Sequence, residues 1–238
     1  MNKEIFYIIP NTIGVLFNII FLYFAIKKYK DKSYKERVKP LKFLAIMLIT
    51  LELIKIYTYI GQNQNFTPAR YPIIYCSFIM YAYPIIYTAK ENSVASRIAK
   101  GISAITGLVI GGLFLVFCPD ENYTIELFYH NLHSRFYHFG MLAGAIYIIA
   151  VNLYDFRFRD FYICGLTVSA YMLFCTIFSI FLGGDISYFG PNRSPLRFIY
   201  NIFGYCVGNT FVIMLVMLLS LLGFFVANFI KKKYFKSN

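Results

Sequence analysis

Long apolar runs separated by short charged segments dominate the chain, without the strict alternation of a half-buried strand. The first run, Ile5–Ile26, is 22 residues long and carries no charge, and a helix crossing a bilayer needs only about 20. Six more follow: Leu41–Ile60, Tyr71–Tyr87, Gly101–Cys118, Phe136–Leu153, Phe161–Gly183 and Ile199–Ile230. The third and fourth are short and rich in Pro or Gly, and the last exceeds the thickness of a membrane core. Continuous runs exclude a β-barrel, whose strands alternate lipid-facing and lumen-facing residues. The predicted fold is all-α: a polytopic membrane bundle of seven transmembrane helices forming one transmembrane domain over residues 1–238. No soluble domain fits between the spans, and no tandem repeat is visible.

Composition agrees with the pattern. Hydrophobic residues make up 59% of the 238 positions and charged ones 14%, whereas soluble domains lie near half and about a quarter. A soluble enzyme, a disordered chain and a disulfide-rich secreted domain are excluded. The net charge of +12 would suit nucleic acid, but its distribution assigns it to topology instead. With the N-terminus outside, the loops Lys27–Pro40, Thr88–Lys100 and Asn152–Asp160 and the tail from Asn228 hold sixteen of the 23 basic residues, against five outside. The positive-inside rule therefore predicts an outer N-terminus and an inner C-terminus. No nucleic acid partner is implied, and the expected location is the cell membrane, as a multi-pass protein. Only Lys3 precedes the first span and a basic cluster follows it, so this span reads as an anchor, not a cleaved signal.

Few residues in the spans offer chemistry. Glu52 and Lys55 lie within the second, where a charge costs roughly 2.5–3.5 kcal/mol at the helix centre. Their i,i+3 spacing places them on one face, where each partly neutralises the other. Counting from Gly61, Glu52 lies about 13 Å below the outer surface, and it is expected to face the interior beside a cation. Cys76 ends YPIIYC near the outer end of the third span. His130, His133 and His138 precede or open the fifth, and their H-x2-H-x4-H spacing raises a zinc site without a second ligand cluster to complete it. On its own Cys76 reads as a small buried hydrophobe; His138 reaches the same depth, and a thiol and an imidazole level with each other in neighbouring helices would form a nucleophile–base pair. Cys118, Cys164, Cys175 and Cys206 read as small buried hydrophobes.

Four local features carry a family resemblance: LELIK around Glu52, YPIIYC ending at Cys76, SRFYHFG around His138, and GGDISYFGPNRSP before the last span. In order and spacing the chain resembles the YwaF family of bacterial integral membrane proteins. That family has ether-phospholipid acyltransferases as eukaryotic relatives and, more remotely, the androgen-induced and androgen-dependent membrane hydrolases. The resemblance implies Cys76 and His138 as the catalytic pair, although a histidine of the family's third-span motif is Ile74 here. It implies a phospholipid acyltransferase or acyl-ester hydrolase at the outer leaflet, working through a thioester. Glu52 would orient the site, and Lys55, Arg70 or Arg135 would hold the lipid phosphate. Phospholipids or lysophospholipids are then the partners, and no metal or other cofactor is required. The alternative is a substrate-binding component of a membrane transport system without catalysis.

Overall fold

The computed structural model describes residues 3–61, 77–117, 125–182 and 197–235, nearly all of them helical. In chain order the helices are α1 (Lys3–Tyr29), α2 (Tyr34–Arg37), α3 (Lys39–Gly61), α4 (Phe78–Thr88), α5 (Val94–Phe117), α6 (Ile125–Ala150), α7 (Asp160–Leu182) and α8 (Arg197–Tyr234). Segments within α1, α5, α7 and α8 are long and apolar enough to cross a membrane, and α4 is a shorter apolar helix. Each expected span contains or overlaps one of the seven longer helices, and the extents differ most at three of them; α5 begins at Val94, seven residues before the expected Gly101. The expected start of the third span, Tyr71–Cys76, lies outside the described residues. The fifth was expected at Phe136, yet α6 begins at Ile125. No Gly or Pro interrupts the chain from Ile125 to Phe139, so nothing ends the helix there.

Interhelical contacts fix the directions. Asn11 of α1 meets Arg135 of α6, and Glu52 of α3 meets His133 of α6. At the other end of the bundle Tyr34 donates to the carbonyl of Ile86, close to the end of α4 (3.0 Å), and Arg37 to that of Val151, just beyond α6 (2.9 Å). Arg97 of α5 binds the Asp160 carboxylate at the start of α7 (3.0 Å), and Lys231 of α8 donates to the carbonyl of Tyr154 (2.9 Å). Helices α1, α4, α6 and α8 therefore run toward this second end, which carries most of the basic residues, while α3, α5 and α7 run away from it. We call the two ends the basic and the opposite end.

The one-turn helix α2 caps the basic end. Its Tyr34 reaches α4 and Ser96 of α5, and the Tyr147 hydroxyl of α6 returns a bond to the carbonyl of Arg37 (2.8 Å). Burial pushes the Tyr34 phenol above its ordinary value, with the Ser96 bond acting the other way, so Tyr34 remains a donor at neutral pH.

Helices α5 and α6 form the centre: residues 101–109 of α5 are all buried, as are Tyr147–Ala150 at the end of α6 and Val151 just beyond it. Around them lie α1 and α3 on the α6 side, α7 and α8 on the α5 side, and α4 against both α3 and α5. The outer faces of α1, α7 and α8 expose Leu16, Ile20, Phe24, Leu166, Phe174, Leu218 and Phe225, as suits helices bathed in lipid. Helix α8 breaks at Gly204, whose φ of 77° and ψ of 178° is a conformation essentially reserved for glycine.

Candidate functional site

The stretch of α6 from His133 to Ala145 is the platform on which α1, α3, α4 and α5 converge. Small residues make the approach possible. A β-carbon on Gly140 would meet the Met47 and Leu48 side chains of α3, and one on Gly111 of α5 would stand 3.1 Å from the carbonyl oxygen of His138. In a membrane interior, where helices gain by close van der Waals contact, glycine at the crossing is what lets the backbones approach.

Into this platform the chain sets five ionisable side chains: Glu52, Lys55, His133, Arg135 and His138. Glu52, expected to face inward beside a cation, does so: it is 3% exposed, with the Lys55 ammonium 2.5 Å from its Oε2 and the His133 Nε2 3.4 Å from its Oε1. Lys55 and Glu52 are paired within α3, and His133 ties the carboxylate to α6. A buried carboxylate is costly unless such partners surround it. The cluster thus joins two helices through a charge that neither could bury alone.

Arg135, two residues on, is also buried, and its Nη1 donates to the Oδ1 of Asn11 on α1. His138 is 7% exposed, and its Nδ1 lies 2.6 Å from the carbonyl oxygen of Ser134, one turn earlier in the same helix. A carbonyl oxygen only accepts, so Nδ1 carries the proton of the neutral ring and Nε2 is the basic nitrogen. The Tyr137 ring neighbours both imidazoles, with centroids 5.6 Å from His133 and 6.1 Å from His138.

Of the residues expected at the site, Glu52, Lys55, Arg135 and His138 all lie buried toward the opposite end. Cys76, Arg70 and Cys118 lie outside the described residues. Sequence reasoning gave His133 no role except in a zinc site. The structure turns it to Glu52 instead, and among the described residues no three His, Cys, Asp or Glu side chains group as a metal would require. Asn11 and the backbone acceptor of Ser134 had also gone unnoticed. A signal for His133 was present: Glu52 needs more than one partner at its depth, and the unbroken helix from Ile125 carries His133 into the bundle. Cys164 and Cys175 are buried, in keeping with their expected packing role.

The sequence model of the TMEM164 family matches residues 2–221, nearly the whole chain. The chain belongs to the TMEM164 family. No curated protein matches it, and no solved structure does either. TMEM164 is a membrane-protein family, as the motif resemblance implied. The apolar helices agree, and the chain is an integral membrane protein of that family. Membership gives a physical reason for Glu52, Lys55, His133 and Arg135 to cluster. In hydrocarbon each must find protein partners, and residues of this kind mark functional sites by default.

Proposed function

We propose that this TMEM164-family protein is a seven-span enzyme of the cell membrane, N-terminus outside and C-terminus inside, that moves acyl groups at the outer leaflet. The reaction is phospholipid acyl transfer or acyl-ester hydrolysis, with Cys76 as nucleophile and His138 as base. The alternating helix directions and the gathering of basic residues at one end support this topology.

The observation that carries the chemistry is the fixed tautomer of His138. Its Nδ1–H donates to the carbonyl of Ser134, 2.6 Å away, so the basic lone pair of the neutral ring lies on Nε2. The register of neighbouring helices supports Cys76 as the proton's source. A β-carbon on Gly107 of α5 would lie 3.8 Å from Cδ1 of Ile79 and 3.4 Å from the carbonyl oxygen of Met141, so these residues of α4 and α6 share a level. Both helices run in one direction, and three residues earlier in the chain come Cys76 and His138 respectively.

In the proposed cycle the Cys76 thiol gives its proton to Nε2 as sulfur attacks the ester carbonyl carbon. The carbon–oxygen bond breaks and the proton passes to the leaving glycerol oxygen, giving a lysophospholipid and an acyl thioester. The hydroxyl of a second lysophospholipid, or water, then attacks the thioester while His138 takes its proton. The carbon–sulfur bond breaks and the proton returns to the thiolate. Lys55, Arg70 and Arg135 supply positive charge for the lipid phosphate, and Glu52 holds Lys55 and the α3–α6 contact in place.

Differential thiol labelling tests the pair. A thiol-reactive lipid mimic is expected to modify Cys76 faster than Cys118, and His138→Ala is expected to slow Cys76 alone, because thiolate character depends on the imidazole. Equal labelling of both cysteines, insensitive to His138, refutes the reading.

A further inference from the structure

Lys100 stands in the second turn of α5, at the basic end, and is only 4% exposed. Its ammonium donates to the carbonyl oxygen of Glu91 (2.9 Å) and lies over the Tyr34 ring, 4.4 Å from the centroid. Among the described residues no carboxylate pairs with it; the exposed Glu91 side chain attracts it only from a distance, and Arg37 and Arg97 stand near enough to repel it. Each arginine is anchored through one nitrogen. Arg37 donates from Nη1 to the carbonyls of Val151 (2.9 Å) and Asn152 (3.3 Å), and its Nε is buried with no acceptor. Arg97 donates from Nη2 to both oxygens of the Asp160 carboxylate, at 3.0 Å each, and its guanidinium lies 5.7 Å from the centroid of the Tyr154 ring. The two guanidiniums therefore flank residues 151–154, and among the described residues Nη2 of Arg37 and Nη1 of Arg97 bond to no protein atom. Arg37 is half-buried, and the Arg97 side chain is 30% exposed.

We propose that this junction of α2, the start of α5 and residues 151–154 binds the phosphate of an anionic lipid in the leaflet at the basic end. Arg37 and Arg97 donate to the phosphate oxygens from the nitrogens they leave open, and Lys100 adds its charge from beneath. Two forked guanidiniums suit a phosphate better than a point charge does, since each offers parallel N–H groups. Lys100 is too deep to touch the ligand, yet a buried charge is screened far less than an exposed one, so its field reaches the surface above it. Asp160 is already held by Arg97, which leaves the junction with an excess of positive charge and two open donors. A lipid is the natural source of the phosphate. Arg97 lies in the first turn of an apolar segment long enough to cross a membrane, Val94–Gly112, which sets it at the level of the headgroups. The site is at the other end of the bundle from Glu52 and His138, and it does not depend on the acyl-transfer reading.

Native mass spectrometry of the full-length protein in detergent tests the site, with phosphatidylglycerol titrated against phosphatidylcholine of the same acyl chains. The first phosphatidylglycerol is expected to bind about tenfold more tightly than phosphatidylcholine. Lys100→Gln keeps a donor for the Glu91 carbonyl and removes only the charge; it is expected to weaken phosphatidylglycerol about fivefold and leave phosphatidylcholine unchanged. Arg37→Gln is expected to act in the same direction. Replacing Lys27 and Lys28 together by Gln, two exposed lysines at the same end of the bundle, is expected to change the affinity less than about twofold. As a second readout, phosphatidylglycerol is expected to raise the unfolding temperature of the wild type more than that of Lys100→Gln, as a ligand of the folded state does. Equal affinities for the two lipids in the wild type overturn the proposal, and that comparison needs no variant to fold. A loss in the Lys27 and Lys28 double variant as large as in Lys100→Gln also overturns it, because the attraction is then diffuse over the basic end. Glycerol 3-phosphate at the same concentration as the lipid is expected to leave the lipid bound; if it displaces the lipid, the ligand is a soluble phosphate and the proposed lipid site falls.

Discussion

Glu52→Gln is expected to destabilise the bundle more than Lys55→Met, although the two residues form one ion pair. At 2.5 Å and an effective dielectric of about 20, their attraction is worth about 7 kcal/mol. The several kcal/mol that each ion loses on leaving water offsets most of this, so the pair as a whole is close to neutral. Removing one partner is different, because the other charge stays buried. In Glu52→Gln the Lys55 ammonium, 4% exposed, loses its counter-charge, and His133 faces an amide instead of a carboxylate. The expected loss is about 3–5 kcal/mol. In Lys55→Met the carboxylate keeps His133 at 3.4 Å as a neighbour; the expected loss is about 1–3 kcal/mol. Leucine at both positions should lie within about 2 kcal/mol of wild type, giving a strongly non-additive cycle. The assay is equilibrium unfolding in detergent micelles followed by circular dichroism. If Lys55→Met costs as much as Glu52→Gln or more, His133 does not share the carboxylate and the trio is misread.

Three further outcomes follow from other parts of the bundle. Gly223→Ala is expected to cost about 1–3 kcal/mol, since its β-carbon would meet the Ile105 carbonyl oxygen of α5 at 2.6 Å, while Gly112→Ala, with nothing within 4 Å, should be neutral or stabilising in the same unfolding assay. Asp160→Asn should cost about 1–3 kcal/mol by that measure, because the buried carboxylate accepts from both Arg97 and the Arg157 backbone N–H, the latter at 2.7 Å. For topology, a cysteine at Lys35 in intact cells should be protected from a membrane-impermeant maleimide, and one at Asn63 should react; the reverse pattern would invert the orientation.

The helices were legible because burial in lipid demands long apolar runs, and the seven expected runs each meet a helix. Where the reading fell short, polar residues were packed inside. The stretch His130–Arg135 looks like a loop by composition, yet Glu52 and Asn11 face His133 and Arg135 from neighbouring helices, and no breaker stops α6 from including them. The Glu52–Lys55 pair was legible from i,i+3 spacing alone, because both members sit on one helix. Its third member shows only indirectly, through the unbroken helix from Ile125 that carries His133 into the bundle, since the contact between α3 and α6 itself leaves no mark in local sequence. Tyr83 was invisible for a related reason: a tyrosine in an apolar run reads as core until its hydroxyl is seen on the Gly140 and Met141 carbonyls of another helix. The direction of the His138 ring likewise depends on Ser134, whose carbonyl every residue type would supply.

The most direct test of the central claim is acylation of Cys76 itself. The full-length protein in lipid nanodiscs would be incubated with a phospholipid analogue carrying a tagged acyl ester, and the adduct located by mass spectrometry. The account predicts a hydroxylamine-labile acyl group on Cys76, absent in Cys76→Ala and formed about 10²-fold or more slowly in His138→Ala. A tag that persists in Cys76→Ala, or a wild-type protein that never acquires one from phospholipid esters, contradicts it.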